Sequence, residues 1–268
     1  MSDAELLTSW IAVWERAIDD FLTLLEEVPE REWSTPTELP GWDVHAVVAH
    51  IAHLEALLAG ARHEEVEIGE PAHVKSPMGT FTEQGVVARR DHTPAELLKE
   101  IRESVAVRSA ELAADPPSDA DAPAPGIFGA IGWSQRTLLR NRPLDVWMHE
   151  QDVRRATGRP GNLDSPAAHH VVTYLLESLG IVVAKRVGCP SGTSVVVAVD
   201  GVGTHAVRVN DAGRAETVEP PAEPTVHLAM TVADHTVLAG GRGVPDSVRV
   251  TGDRALAERI LAAMAVTP

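Results

Sequence analysis

A single cysteine, Cys189, stands in 268 residues, so no internal disulfide can form and a disulfide-stapled framework is excluded. It lies between Gly188 and Pro190 with no histidine or basic residue beside it, so nothing in the sequence lowers its pKa and it does not read as a nucleophile. Apolar runs stop short of the roughly 20 residues that a membrane-spanning helix needs, and the acidic start MSDAELLTSW lacks the basic and apolar regions of a signal peptide. Positive charge is scarce: 23 Lys+Arg against 39 Asp+Glu give a net charge of −16, a surface that repels nucleic acid and anionic bilayers. Internal repeats are missing, and no low-complexity tract is longer than residues 115–126. What is present is a globular composition, 44% hydrophobic and 23% charged, which excludes disorder and a coiled coil. The expectation is a soluble, cytoplasmic chain of one large domain or two modest ones.

The apolar positions change period along the chain. Leu6, Leu7, Trp10, Trp14, Ala17, Ile18, Phe21, Leu22 and Leu25 form one helical stripe, closed by Pro29. A second helix starts after an N-cap at Asp43 and runs through VHAVVAHIAHLEALLAG to Gly60. Residues 61–80 read as irregular. A third helix covers Phe81–Ala114, with a restart offered at Thr93, where Thr-Pro-Ala-Glu has the form of a capping box. The stretch DPPSDADAPAPGIFGAIG breaks regular structure. A fourth helix covers Trp133–Thr157, either kinked at Pro143 or restarting there, and a fifth runs from Ser165-Pro166 to Gly188. Beyond Gly188, SVVVAVD, THAVRVND, RAETVE, PTVHLAMT and SVRVTG read as strands, VADHTVLAGG and DRALAERILAAMA as helices. Five helices followed by a strand-rich unit predict an α domain over 1–188 and a small α+β domain over 189–268.

Histidine supplies the candidate chemistry. His50 and His53 lie three apart on the second helix, Asp145 and His149 four apart on the fourth, and His169 and His170 open the fifth, where they read as solvated. Acidic residues fill 39 of 268 positions, so about two of the 12 histidines would have one four places upstream by chance; the spacing alone equally describes an exposed salt bridge. His50 alone equally describes a core histidine bonded to a carbonyl. Taken together, an inward His on one helix facing an inward Asp/His pair on another is how helical bundles build metal sites. Two imidazoles and one carboxylate leave coordination positions open, which suits a catalytic ion.

LPGWDVHAVVAHIAHLEALL resembles the signature second helix of the actinobacterial mycothiol-dependent maleylpyruvate isomerase family, a branch of the DinB-like metal-binding bundles, and DVWMHEQDVRRATGRPG resembles its later helix. The end of the chain, VLAGGRGVPDSVRVTGDRALAERILAAM, is similar to the sterol-carrier-like domain that follows in that family. The resemblance implies a DinB-like up-down helical bundle with a sterol-carrier-like α+β domain, a divalent metal (usually zinc) held by His50, Asp145 and His149, and mycothiol as thiol cosubstrate. The family pattern has Glu at the acidic position where this chain has Asp145, one methylene shorter; it binds if the helix sits closer, or through a water, and His53 is a substitute ligand. Asp152 is a candidate partner of a ligating imidazole, and Glu55 another, or a helix-surface charge. Arg242 and Arg249 are candidates to meet carboxylates of the substrate or of the thiol cofactor, or form exposed salt bridges. Trp42 and Trp147 read as packing anchors.

The implied activity is isomerisation or thiol transfer on a small electrophile through a metal-stabilised thiolate. Two other readings compete. The same three ligands suit a thiol-independent metal hydrolase, with Glu150 or Asp152 as its general base; or the chain is a non-catalytic metal- or lipid-binding protein.

Overall fold

Helix α1 (Asp3–Glu26) begins where the sequence sets a start signal. The Ser2 hydroxyl accepts from the Glu5 N–H while the Glu5 carboxylate accepts from the Ser2 N–H, a reciprocal cap that satisfies two of the orphan donors of the first turn. The computed structural model describes residues 1–267 and divides into two compact units, Met1–Gly161 and Asn162–Pro268.

In the first unit α2 (Val44–Leu58) starts at the expected cap, with Asp43 accepting from the Ala46 N–H at 2.9 Å. The stretch expected over 81–114 does restart at the Thr93 capping box and so forms two helices, α3 (Pro77–Ala88), which begins within the stretch read as irregular, and α4 (Pro94–Ala114). A short α5 (Gly126–Ala130) lies inside the stretch read as irregular; five residues with two glycines carry no apolar period to betray it. Helix α6 (Gln135–Thr157) continues through Pro143 and ends at Gly158, whose φ of +66° is the left-handed conformation glycine adopts at no steric cost. Packing runs α1 on α6, α6 on α2, α2 on α4 and α4 on α1, which closes a four-helix ring around one interior.

The second unit begins earlier than the 188/189 boundary expected from composition. Helix α7 (Pro166–Leu176) packs on α9 (Val232–Ala239), and the short α8 (Leu179–Ile181) packs on the sheet strands β2 (Gly203–Val209) and β3 (Ala215–Thr217), so this helical segment goes with the sheet. A π-helical turn, Val182–Arg186, follows α8. By length and composition the run Pro166–Arg186 is apolar enough to cross a bilayer, contrary to the reading that no run approaches that length; half of it is buried within the unit, as in the core helix of a globular domain. The sheet order is β3-β2-β1-β4-β5, with β1 (Ser194–Val199) between antiparallel β2 and parallel β4 (Val226–Met230), and β5 (Arg249–Gly252) on the edge. Val195, Val197, Val226 and Leu228 are fully buried at its centre, and α10 (Arg254–Ala262) packs on β4 and β5.

Candidate metal centre

Thirteen of the fifteen residues of α2 are buried, so its polar side chains must find partners inside the bundle. On α6, Arg142, Asp145, His149, Asp152 and Arg155 follow at spacings of three and four and lie on one face. The two helices pack on each other, and His50 meets that face.

Asp145 Oδ1 lies 3.4 Å from His50 Nε2 and 3.6 Å from His149 Nε2, and the two imidazoles cross edge-on with ring centroids 4.9 Å apart. One ligand atom from each of the three residues lies within 4.8 Å of the others. Metal–ligand bonds of 2.0–2.1 Å in tetrahedral geometry separate ligand atoms by about 3.3–3.4 Å, close to both distances from Asp145 Oδ1, and three protein ligands leave a fourth position open. The donor set fits too. His149 Nδ1 donates to Asp152 Oδ2 at 3.0 Å, which fixes the tautomer and leaves Nε2 toward the site. Asp152 is in turn held by Arg155 at 2.6 Å, and Arg155 by Glu38. Burial lowers the His50 pKa, an effect that the pairing with Asp145 only partly offsets; this keeps the imidazole in the neutral form that ligates. For Asp145, burial opposes ionisation, but His50 and Arg142 outweigh it and hold the carboxyl well below the usual range. His50 Nδ1 is buried without a hydrogen-bond partner, so this imidazole lacks the carboxylate support that His149 has.

The second oxygen of Asp145 accepts from Arg142 Nη1 at 2.9 Å, while Arg142 Nη2 donates to Glu55 Oε1 at 2.6 Å. Glu55 Oε1 also accepts from the Trp14 indole at 3.1 Å. Glu55 is therefore neither a surface charge nor an imidazole partner; it is fully buried and anchors Arg142. Arg142 itself escapes sequence reasoning, although its place three residues before Asp145 on one helix face was a readable signal.

Trp42 sits 5.2 Å from the His50 ring and 6.0 Å from that of His149, centroid to centroid. Its indole donates to Glu83, which also meets His73. Gly41 permits this closure: with φ at +84°, a Cβ there would lie 2.3 Å from the His73 ring. Trp42 thus walls the site, and it also borders a cavity of about 850 Å³ lined by Trp33, Leu39, His45 and Val86. Trp147 is fully buried packing, as read from sequence.

The remaining candidates lie elsewhere. His53 turns away from the three-residue group toward Arg89 and Glu64, 3.3 and 3.4 Å away, so it is not a substitute ligand in this arrangement. Burial, with Arg89 adding to it, pushes its pKa down to about 4. Glu150 is buried and accepts from Arg154. In the second unit, Arg242 bonds the Gly240 carbonyl and the Thr267 hydroxyl, and exposed Arg249 pairs loosely with Asp200 at 3.8 Å. His169 is exposed, His170 packs against Tyr174, and Cys189 is buried, its thiol pKa raised by that burial.

Comparison with known proteins bears on the fold and the family. The crystal structures of the mycothiol-dependent maleylpyruvate isomerase and of a histidine-to-alanine mutant of it superpose with a TM-score of 0.58 at 17% identity, over 94% of this chain and 95% of theirs, a likeness of fold. Two uncharacterized proteins of Mycobacterium tuberculosis, MT0041 of strain CDC 1551 / Oshkosh and Rv0036c of strain ATCC 25618 / H37Rv, are each 28% identical over 142 residues, 52% of this chain. That stretch is 53% of each relative, so the chain spans about half the length of the curated relatives it matches. Residues 14–154 match the Mycothiol maleylpyruvate isomerase N-terminal domain and residues 167–259 the MDMPI C-terminal domain. Matched in both domains and in order, the chain belongs to the mycothiol maleylpyruvate isomerase family.

Proposed function

We propose that this protein is a cytoplasmic, metal-dependent enzyme that uses a low-molecular-weight thiol, mycothiol, to isomerise or to add to a small electrophile. The observation that carries the reading is the convergence of His50, Asp145 and His149 on one point inside a bundle of this family. A divalent ion there, zinc by the donor set, would supply Lewis-acid stabilisation of a thiolate near neutral pH. The chain's own residues prepare the place. Asp152 holds the His149 tautomer, burial keeps His50 neutral, and the Trp42 ring shields one side from water. Arg249, whose ion pair with Asp200 is long and exposed, is the more loosely held of the two candidate arginines and suits a carboxylate of substrate or thiol.

Thiol chemistry is favoured over metal hydrolysis by what the two candidate bases already do: Glu150 is engaged by Arg154, and Asp152 by His149 and Arg155. The lipid-binding reading is weakened by the lining of the cavity in the second unit, about 320 Å³, which carries Glu177, Lys185, His205 and Arg214.

Elemental analysis of purified protein tests the metal site. The expected result is about one zinc per chain in the wild type, lost in His50→Ala and His149→Ala with the circular dichroism spectrum intact. Wild-type protein without metal after zinc supplementation, or metal retained by both variants, would overturn the ligand set. With the metal established, turnover of candidate electrophiles that depends on mycothiol separates this reading from hydrolysis.

A further inference from the structure

A charge pair as deeply buried as Arg142 and Glu55, at 3% and 0% exposure, is not held for stability, because desolvating both ions costs as much as their attraction returns. Its geometry indicates what it is held for. Arg142 lies three residues before Asp145 on α6 and spends one terminal nitrogen on Asp145 Oδ2 and the other on Glu55 Oε1. The planar guanidinium is thereby fixed at both ends, a geometry that the single ammonium of lysine cannot reproduce. Glu55 comes from α2, the helix that also carries His50, and the Trp14 indole of α1 holds Glu55 in place. Trp14 in turn carries the Arg108 guanidinium over its ring at 5.3 Å. Asp145 therefore has one oxygen occupied by Arg142 and the other, Oδ1, between the two imidazole Nε2 atoms.

We propose that Arg142 is a positioning residue of the metal site: it restricts Asp145 to a single-oxygen ligand, and through Glu55 it locks the carboxylate of α6 in register with His50 of α2. The inference rests on the metal-site reading above and adds to it the denticity of the carboxylate. It also gives the shorter Asp a physical role, since its Oδ2 meets the guanidinium one turn back on the same helix at hydrogen-bond distance. With Oδ2 withheld, two nitrogens and one oxygen bind the ion and the remaining position stays open for an external ligand.

The test uses the full chain with zinc or cobalt(II) as probe. Zinc affinity is measured by chelator competition and coordination by the cobalt absorption spectrum, for wild type, Arg142→Gln, Arg142→Lys and Glu55→Gln. The wild type should give the intense visible bands of four-coordinate cobalt. Arg142→Gln should weaken zinc binding about 10- to 100-fold and shift cobalt to the weaker absorption of a five-coordinate ion, as Oδ2 is released to bind. Arg142→Lys should rescue the spectrum only in part. Glu55→Gln keeps an acceptor for Trp14 and Arg142 and preserves the fold if Arg142→Gln does not; a loss of about three- to tenfold is expected there. Wild-type affinity and spectrum in Arg142→Gln, or in Glu55→Gln where Arg142→Gln fails to fold, overturn the proposal while leaving the ligand set standing. A wild type that binds neither metal overturns the ligand set itself.

Discussion

The two units fill their interiors differently. In the first, Glu55, Arg89, Arg108, Arg142, Glu150 and Asp152 are all at 3% exposure or less; in the second, among the described residues, no Asp, Glu, Lys or Arg is buried. There the interior is mainly valine, leucine and alanine, and the buried residue with a titratable ring is His235, both of whose ring nitrogens lack a partner. Each ion taken from water costs several kcal/mol unless its partners are well placed, so charge persists inside the bundle where its geometry is needed. Arg89 shows that the pattern extends beyond the metal site: it is closed by Glu64 and Glu100 while also reaching His53. The contrast places the buried charge in the first unit, the one that also holds the candidate metal site.

The contrast breaks most sharply at Glu55. Glu55→Leu strands Arg142 and the Trp14 indole inside the bundle, and urea unfolding should show a loss of about 3–5 kcal/mol. Replacing both partners, Glu55→Leu with Arg142→Met, should recover much of that loss while abolishing high-affinity metal binding, which separates the cost of stranding one charge from the positioning role of the pair. A smaller effect is expected at His235. Burial pushes its pKa to about 4, below the ordinary value near 6.5, so the unfolded chain takes up a proton that the folded chain refuses. Its contribution is intact above pH 6.5 and is lost as pH falls toward 4, by about 3 kcal/mol in all. His235→Leu should flatten the pH dependence of the urea midpoint across that window, and an unchanged slope would show that the ring is not buried neutral. The smallest effect is on the surface. Arg16 pairs with Asp20 at 2.8 Å on α1 but is 64% exposed, and Arg16→Ala should leave the urea midpoint where it is.

Much of this was legible beforehand, for local reasons. Asp43, Thr93 and Ser165 are capping residues because their side chains reach backbone donors two or three residues ahead, a contact that needs no tertiary structure. The strands of the second unit followed from alternation between Gly, Asp and Pro turns, and the i, i+4 spacing of Asp145 and His149 set them on one helix face. What stayed hidden depends on non-local packing. Glu55 looked like a surface charge because an isolated α2 has a polar side; in the bundle other helices cover nearly all of it. Arg142 and Glu55 are 87 residues apart, and no local pattern joins them. The boundary between the compact units, at Gly161/Asn162, does not coincide with the change from helix to strand near Gly188 for a similar reason, since that change marks a change of secondary structure, not of packing partner. The turn of His53 toward Arg89 likewise depends on α3, where Gly85 leaves room for the ring: a Cβ at that position would lie 2.1 Å from it.

The lone cysteine has a practical consequence for anyone who studies thiol chemistry here. Cys189 is buried and its thiol is held protonated by that burial, with Arg259 only partly countering the effect. A protein proposed to handle a foreign thiolate thus keeps its own sulfur quiet. Maleimides, iodoacetamide and other electrophilic labels should meet almost no background from the folded chain, so a label captured under native conditions reports the added thiol and its adducts. Loss of that silence, with Cys189 becoming labelled, would serve as a built-in indicator that the second unit has opened.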